Sequence, residues 1–104
     1  MALLTNVLAG AERAGLLDAV IGEVDGMRPG LLDTARRAAP GLADKAARWA
    51  IEMRDLAEGL QDLGVSGDYH TAAAKSYDQF AANVDKAGKG PPADLAGVLA
   101  AWGK

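Results

Sequence analysis

The residues from Leu42 to Leu63 carry the pattern that most constrains how this chain can fold. Apolar side chains recur there at alternating spacings of four and three residues, at Leu42, Ala46, Trp49, Met53, Leu56, Leu60 and Leu63. This repeat predicts an amphipathic helix three heptads long that buries one seam. One flank of the seam carries only alanine, at Ala43, Ala50 and Ala57. We therefore expect a second helix to approach closely along that flank.

A second seam of the same length lies near the N-terminus. Its members alternate in the same way, at Leu3, Val7, Gly10, Ala14, Leu17, Ile21 and Val24. The pattern predicts a helix over about residues 2–25. Glycine in a helix interior costs about 1 kcal/mol relative to alanine, so the sequence leaves open whether this helix is continuous from Gly10 to Gly22. Pro29 and Gly30 then indicate a turn.

Proline and glycine set the boundaries predicted for the middle of the chain. A short helix over about residues 31–38 is expected to stop before Pro40, because the residue preceding a proline is disfavoured in the helical conformation. Pro40 also suits the first turn of the central helix, predicted over residues 41–63. Gly64 is the expected glycine just beyond the end of that helix.

Two more helices are predicted in the last third of the chain. One runs over about residues 68–87, capped by Ser66 or Asp68, and its apolar stripe is Tyr69, Ala73, Tyr77, Phe80 and Val84. The other covers about residues 92–102 and buries Leu95, Val98, Leu99 and Trp102 at helical spacing. No segment shows the alternation typical of strands.

Together these segments predict an all-α fold. At 104 residues the chain is expected to form one domain, residues 1–104, as a compact antiparallel bundle of four to five helices with short loops. Its core should be thin, because alanine contributes 23 residues whereas leucine, isoleucine, valine and phenylalanine together contribute 22. Alanine buries little area, so we expect a protein partner or self-association to add stability.

Composition excludes several classes of function. His70 is the only histidine and there is no cysteine, which argues against zinc sites and Cys–His nucleophiles. A net charge of −3 argues against general nucleic-acid binding. The N-terminus lacks the basic segment of a signal peptide and is too short an apolar run to span a membrane. We therefore expect a cytoplasmic protein that is not an enzyme and has no metal or cofactor.

One short stretch resembles a known family. Asp62-Leu63-Gly64-Val65-Ser66 is similar to the residues around the phosphopantetheine serine of acyl carrier proteins, which are also small, acidic and four-helical. In that family an aspartate precedes the serine and an apolar residue follows it, whereas this chain has Val65 and Gly67 there. The resemblance implies a carrier of a prosthetic group attached at Ser66.

Two hypotheses of function remain. The first is a non-catalytic helical protein–protein interaction module, an adaptor or a subunit of a larger assembly such as a phage particle or a secretion machine. Its candidate interaction residues are Leu4, Leu8, Ile51 and Trp102. The alternative is a small carrier of an apolar ligand or prosthetic group, either acyl-carrier-like at Ser66 or with an apolar pocket lined by Trp49, Tyr69, Tyr77, Phe80 and Trp102.

Overall fold

The computed structural model describes residues 1–103, which form five α-helices and no strand. The helices are α1 (Ala2–Arg13), α2 (Leu17–Met27), α3 (Leu31–Asp62), α4 (Asp68–Ala87) and α5 (Leu95–Ala101). The all-α bundle predicted from the sequence is confirmed. None of the five described helices is both long and apolar enough to cross a membrane.

The single helix predicted over residues 2–25 is instead two helices, α1 and α2, which separate at Gly15. Gly15 adopts a left-handed conformation with φ of +74°, which glycine takes without steric cost. Its N–H donates to the Glu12 carbonyl and the Leu16 N–H donates to the Ala11 carbonyl. These two bonds satisfy carbonyls that the end of α1 would leave unpaired, as in a Schellman motif.

The break also changes which face of α1 is buried. Leu3 and Val7, predicted to belong to the seam, are exposed. The opposite face is buried instead, at Ala2, Thr5, Leu8, Ala9 and Ala11. The predicted seam is therefore wrong in α1. In α2 its members Leu17, Ile21 and Val24 are half-buried against the core.

The two helices predicted on either side of Pro40 are one helix of 32 residues, α3. Pro40 has no N–H to donate to the Arg36 carbonyl, and a proline inside a helix costs about 3 kcal/mol. Pro40 is exposed, so water can reach the carbonyl that it leaves unpaired. Buried residues continue at helical spacing through this site, at Leu32, Ala35, Ala39, Leu42 and Ala46. Their burial offsets the cost of the proline.

α3 and α4 form an antiparallel hairpin that dominates the fold. Gly64 follows the end of α3 with φ of +77°, as predicted, and the Val65 N–H donates to the Leu60 carbonyl. Gly67 precedes α4, and within the described chain no side chain caps that helix. Gly67 thus stands at the cap position predicted for Ser66 or Asp68, and the Ser66 hydroxyl accepts the N–H of Asp68, the first residue of α4, at 3.2 Å.

α5 closes one side of the hairpin. It begins at Leu95 rather than near residue 92, because Asp94 caps it by accepting the Gly97 N–H at 2.9 Å. Leu95, Val98, Leu99 and Trp102 are buried as predicted. The ring of Trp102 lies 5.6 Å from that of Phe80, centroid to centroid, so this segment packs its aromatic residue directly on α4.

Candidate interaction surface

α3 buries its apolar seam in its first half and leaves it open in its second. Leu42 and Ala46 are fully buried, and Trp49 and Met53 are half-buried. Leu56 is 43% exposed and Leu63 is 79% exposed. Within residues 51–63 the only buried residue is Ala57. The seam predicted from the sequence is therefore a core element at one end of α3 and a surface at the other.

Contacts between α3 and α4 explain this difference. The Trp49 and Tyr77 rings lie 5.6 Å apart, and Arg54 donates to Asp78 at 2.7 Å. Near the loop, Gly67 packs on Ala57 so closely that an added Cβ would lie 2.8 Å from the Ala57 carbonyl oxygen. The alanine flank thus receives α4, as predicted. The leucines beside it remain uncovered.

We call the uncovered leucines the distal stripe, which consists of Leu56, Leu60 and Leu63. They stand at i, i+4 and i+7 and so share one face of α3. Leu60 is half-buried and lies between its two exposed neighbours. Val65, 53% exposed, follows in the loop. The result is a row of apolar side chains along the end of the hairpin.

Carboxylates lie along one flank of the distal stripe. Residues 55–70 contain four acidic side chains and neither lysine nor arginine, the acids being Asp55, Glu58, Asp62 and Asp68. Helical spacing places Glu52 beside Leu56, with Asp55 and Asp62 further round the same flank. Asp55 and Asp62 form no salt bridge with any described residue, and Glu52 lies 3.6 Å from Arg48 in an exposed pair. This end of the molecule is thus apolar with an acidic edge.

The four interaction residues proposed from the sequence lie in different environments. Leu8 and Trp102 are 0% and 1% exposed and belong to the core, and Leu4 is half-buried against it. Trp102 is held there because its indole N–H donates to the Asn6 side chain at 3.2 Å. Ile51 is 62% exposed, but helical spacing puts it on the side of α3 opposite the distal stripe.

The aromatic residues form part of the core. Tyr77 stands between Trp49 and Trp102, with ring centroids 5.6 and 5.9 Å away in edge-on arrangements, and Phe80 packs on Trp102. Burial raises the pKa of the Tyr77 hydroxyl, and a hydrogen bond with the backbone of Ala2 lowers it by less. Tyr69 is exposed. Four of the five rings therefore fill the space between helices by packing on one another.

An open groove of about 550 Å³ lies between the end of α4 and α5. Its walls include Asn83, Val84, Pro91, Pro92 and Ala101. The Asn83 amide group donates to the Ala101 and Gly103 carbonyls at 2.9 and 2.6 Å. The Asn83 side chain thus holds the C-terminal segment against α4.

The polar residues considered from the sequence stand apart from one another. Ser66 is exposed in the α3–α4 loop. His70 lies half-buried in the first turn of α4, and its buried Nδ1 atom has no hydrogen-bond partner among the described residues. Across residues 1–103, no three histidine, aspartate or glutamate side chains come together as a metal site would require.

Sequence reasoning identified the leucines of the distal stripe but assigned them to the interior. The signal that could have revealed their exposure is the charge around them. An apolar seam inside a helical bundle needs a covering helix, and residues 55–70 bring four carboxylates to this end of the chain without any lysine or arginine. A covering helix that carried lysine or arginine would be favoured there by charge complementarity.

Residues 11–80 match the family described as "Domain of unknown function (DUF1932)". The chain belongs to this family. The matched segment covers all of α2 and α3 together with most of α4, so it includes the distal stripe, whereas α5 lies outside it. No curated protein and no solved structure matches the chain.

Proposed function

We propose that this DUF1932 domain is a non-catalytic protein–protein interaction module that binds its partner through the distal stripe. The observation that supports the proposal is the exposure of heptad-spaced leucines at one end of a long helix whose other end is buried. Apolar rows of this kind are the usual contact surface of helices that dock on other helices. A partner covering Leu56 and Leu63 would remove apolar area from water at about 25 cal/mol per Å².

A role as a carrier is the weaker alternative. The aromatic rings that could have lined a ligand pocket pack on one another. The Ser66 hydroxyl is exposed and could receive a prosthetic group. A phosphopantetheinyl transferase assay read by intact mass separates the two functions, since the interaction module should keep its unmodified mass.

We further propose that the domain acts in the cytoplasm. The chain has no cysteine, and a protein that needs no disulfide suits a reducing compartment. Fractionation of cells that express the tagged chain tests the location, and recovery in a membrane or secreted fraction would contradict it.

The interaction is tested by comparing three chains in pull-down experiments: the native chain, Leu63→Lys and Ile51→Lys. The two variants carry the same charge change on exposed positions of the same helix, but only Leu63 lies in the distal stripe. We expect partner proteins to be recovered with the native chain and with Ile51→Lys, and to be lost with Leu63→Lys. If no recovered protein depends on Leu63, the proposed function is wrong.

Sedimentation of the native chain between about 10 and about 500 µM, the range in which weak self-association would appear, complements this test. Self-association that Leu63→Lys abolishes would also support an interaction module, with a second copy as the partner.

A further inference from the structure

We infer that the occupant of the distal stripe is a basic amphipathic helix of a partner protein. This inference rests on the proposed function and specifies the chemistry of the partner. A helical partner covers leucines at i, i+4 and i+7 best, because apolar residues at the same spacing on the partner can contact each of them. The charge of the partner follows from the flank of the stripe.

The flank of the stripe favours cations. Glu52, Asp55 and Asp62 lie along the side of α3 that α4 does not cover, and of these three only Glu52 forms a salt bridge with a described residue. Arg54, the one lysine or arginine between Arg48 and Lys75, donates to Asp78 across the hairpin. Lysine or arginine along one edge of an apolar partner face would therefore come near Asp55 and Asp62, which form no salt bridge with any described residue.

The same charges disfavour a second copy of the chain as the occupant. Two copies that met antiparallel through their distal stripes would place the acidic flanks of both on the same side of the interface. Juxtaposed like charges at an interface are costly. The dipole of α3 does not explain why these residues are acidic. A helix dipole favours basic residues in the last turn, whereas the last turn of α3 contains none and ends at Asp62.

Gly59 adds a geometric reason for close docking. It stands on α3 between the stripe and the acidic flank, and apart from its chain neighbours and the surrounding helix backbone no described atom lies within 4 Å of the position that a Cβ would take there. A glycine at this point lets the backbone of a partner helix approach α3 more closely than a larger side chain would allow.

The test uses two synthetic helical peptides of about 18 residues, which is about five turns. Both carry leucines at i, i+4 and i+7, flanked by lysine in one peptide and by glutamate in the other. Binding to the whole chain is measured by calorimetry and mapped by amide chemical shifts. We expect the lysine peptide to bind, with shifts concentrated in residues 52–65, and the glutamate peptide to bind at least about tenfold more weakly.

Variants then assign the contribution of each part of the surface. Leu63→Lys should reduce affinity for the lysine peptide by about tenfold or more, as loss of a well-packed interface contact does. Leu16→Lys, the same change at an exposed residue of the segment between α1 and α2, should change affinity by less than about twofold, because Leu16 lies outside both the distal stripe and its acidic flank. Asp55→Asn combined with Asp62→Asn should weaken binding and also reduce its dependence on salt between about 50 and about 300 mM.

Three results would overturn the inference. One is equal or tighter binding of the glutamate peptide, the second is absence of shifts in residues 52–65 with the lysine peptide, and the third is self-association that buries the stripe. Each of these leaves the proposed interaction module intact if partner recovery still depends on Leu63. Loss of that dependence is the separate failure of the proposed function.

Discussion

The two halves of α3 have similar sequence patterns and opposite environments. Both repeat apolar residues every three or four positions. In the first half these residues are buried, from Leu32 to Ala50, whereas in the second half Leu56 and Leu63 are exposed. The difference shows that a heptad seam identifies the face of a helix that another helix can cover. Which part of that face is covered depends on the number of other helices available in the fold.

The largest expected effect is on the free energy of unfolding, which should depend on the first half of α3 far more than on the second. Leu42→Ala removes a side chain that is fully buried and should lower the free energy of unfolding by about 2–5 kcal/mol, as cavity-forming substitutions in cores do. Leu63→Ala makes the same chemical change at an exposed site and should stay within about 0.5 kcal/mol of the native chain. Urea titration followed by circular dichroism measures both. Equal losses would show that the distal half of α3 is also part of the core.

A smaller effect should come from the glycines near the end of the hairpin. Gly67→Ala places a Cβ 2.8 Å from the Ala57 carbonyl oxygen and should destabilise the chain by about 1–3 kcal/mol through overpacking. Gly59→Ala meets open space among the described atoms and should stabilise α3 by about 0.5–1 kcal/mol, since alanine is the better helix former. Thermal unfolding of both variants tests this contrast. If Gly67→Ala were neutral, the close contact between loop and helix would be disproved.

The smallest expected effect concerns the ion pair that joins the two helices at the boundary between the halves. Arg54→Gln removes the 2.7 Å contact with Asp78, in which both side chains are about half exposed, and should cost about 0.2–1 kcal/mol. The effect should shrink at high salt because exposed pairs are screened. Arg48→Gln, which breaks a 3.6 Å pair within α3, is the matched control and should cost less. A salt-independent loss of several kcal/mol would contradict this description of the pair.

Most of the helix content could be predicted because it depends on local chemistry. Apolar spacing located all the helical segments, and Gly64 marked the end of α3. Pro40 misled the prediction because its local cost is offset by burial of residues before and after it in the same helix. The split at Gly15 is not predicted because two other glycines in that helix, Gly10 and Gly22, are equally able to break it. Only the hydrogen bonds to the Glu12 and Ala11 carbonyls distinguish Gly15 from them.

The candidate site was harder to predict than the fold. Ile51 is a candidate because it lies opposite the central seam, and Leu4 and Leu8 because they widen the stripe of the first helix, but Leu8 is a core residue. Trp102, a candidate that the spacing also predicts to be buried, is in the core as well. The leucines of the distal stripe were assigned to the core for the same reason, since their spacing is that of buried residues. Spacing identifies a shared face and carries no information on what lies opposite that face.

By itself the sequence determined that this chain is helical, where its long helices run and which residues share a face, because these depend on spacing and on backbone preferences within a few residues. Only the tertiary structure decided that α3 crosses Pro40 unbroken, that α1 turns Leu3 and Val7 outward, and that α3 extends its leucines beyond the helices that cover its first half. Those outcomes depend on how much apolar area distant segments can bury together, which no local pattern records.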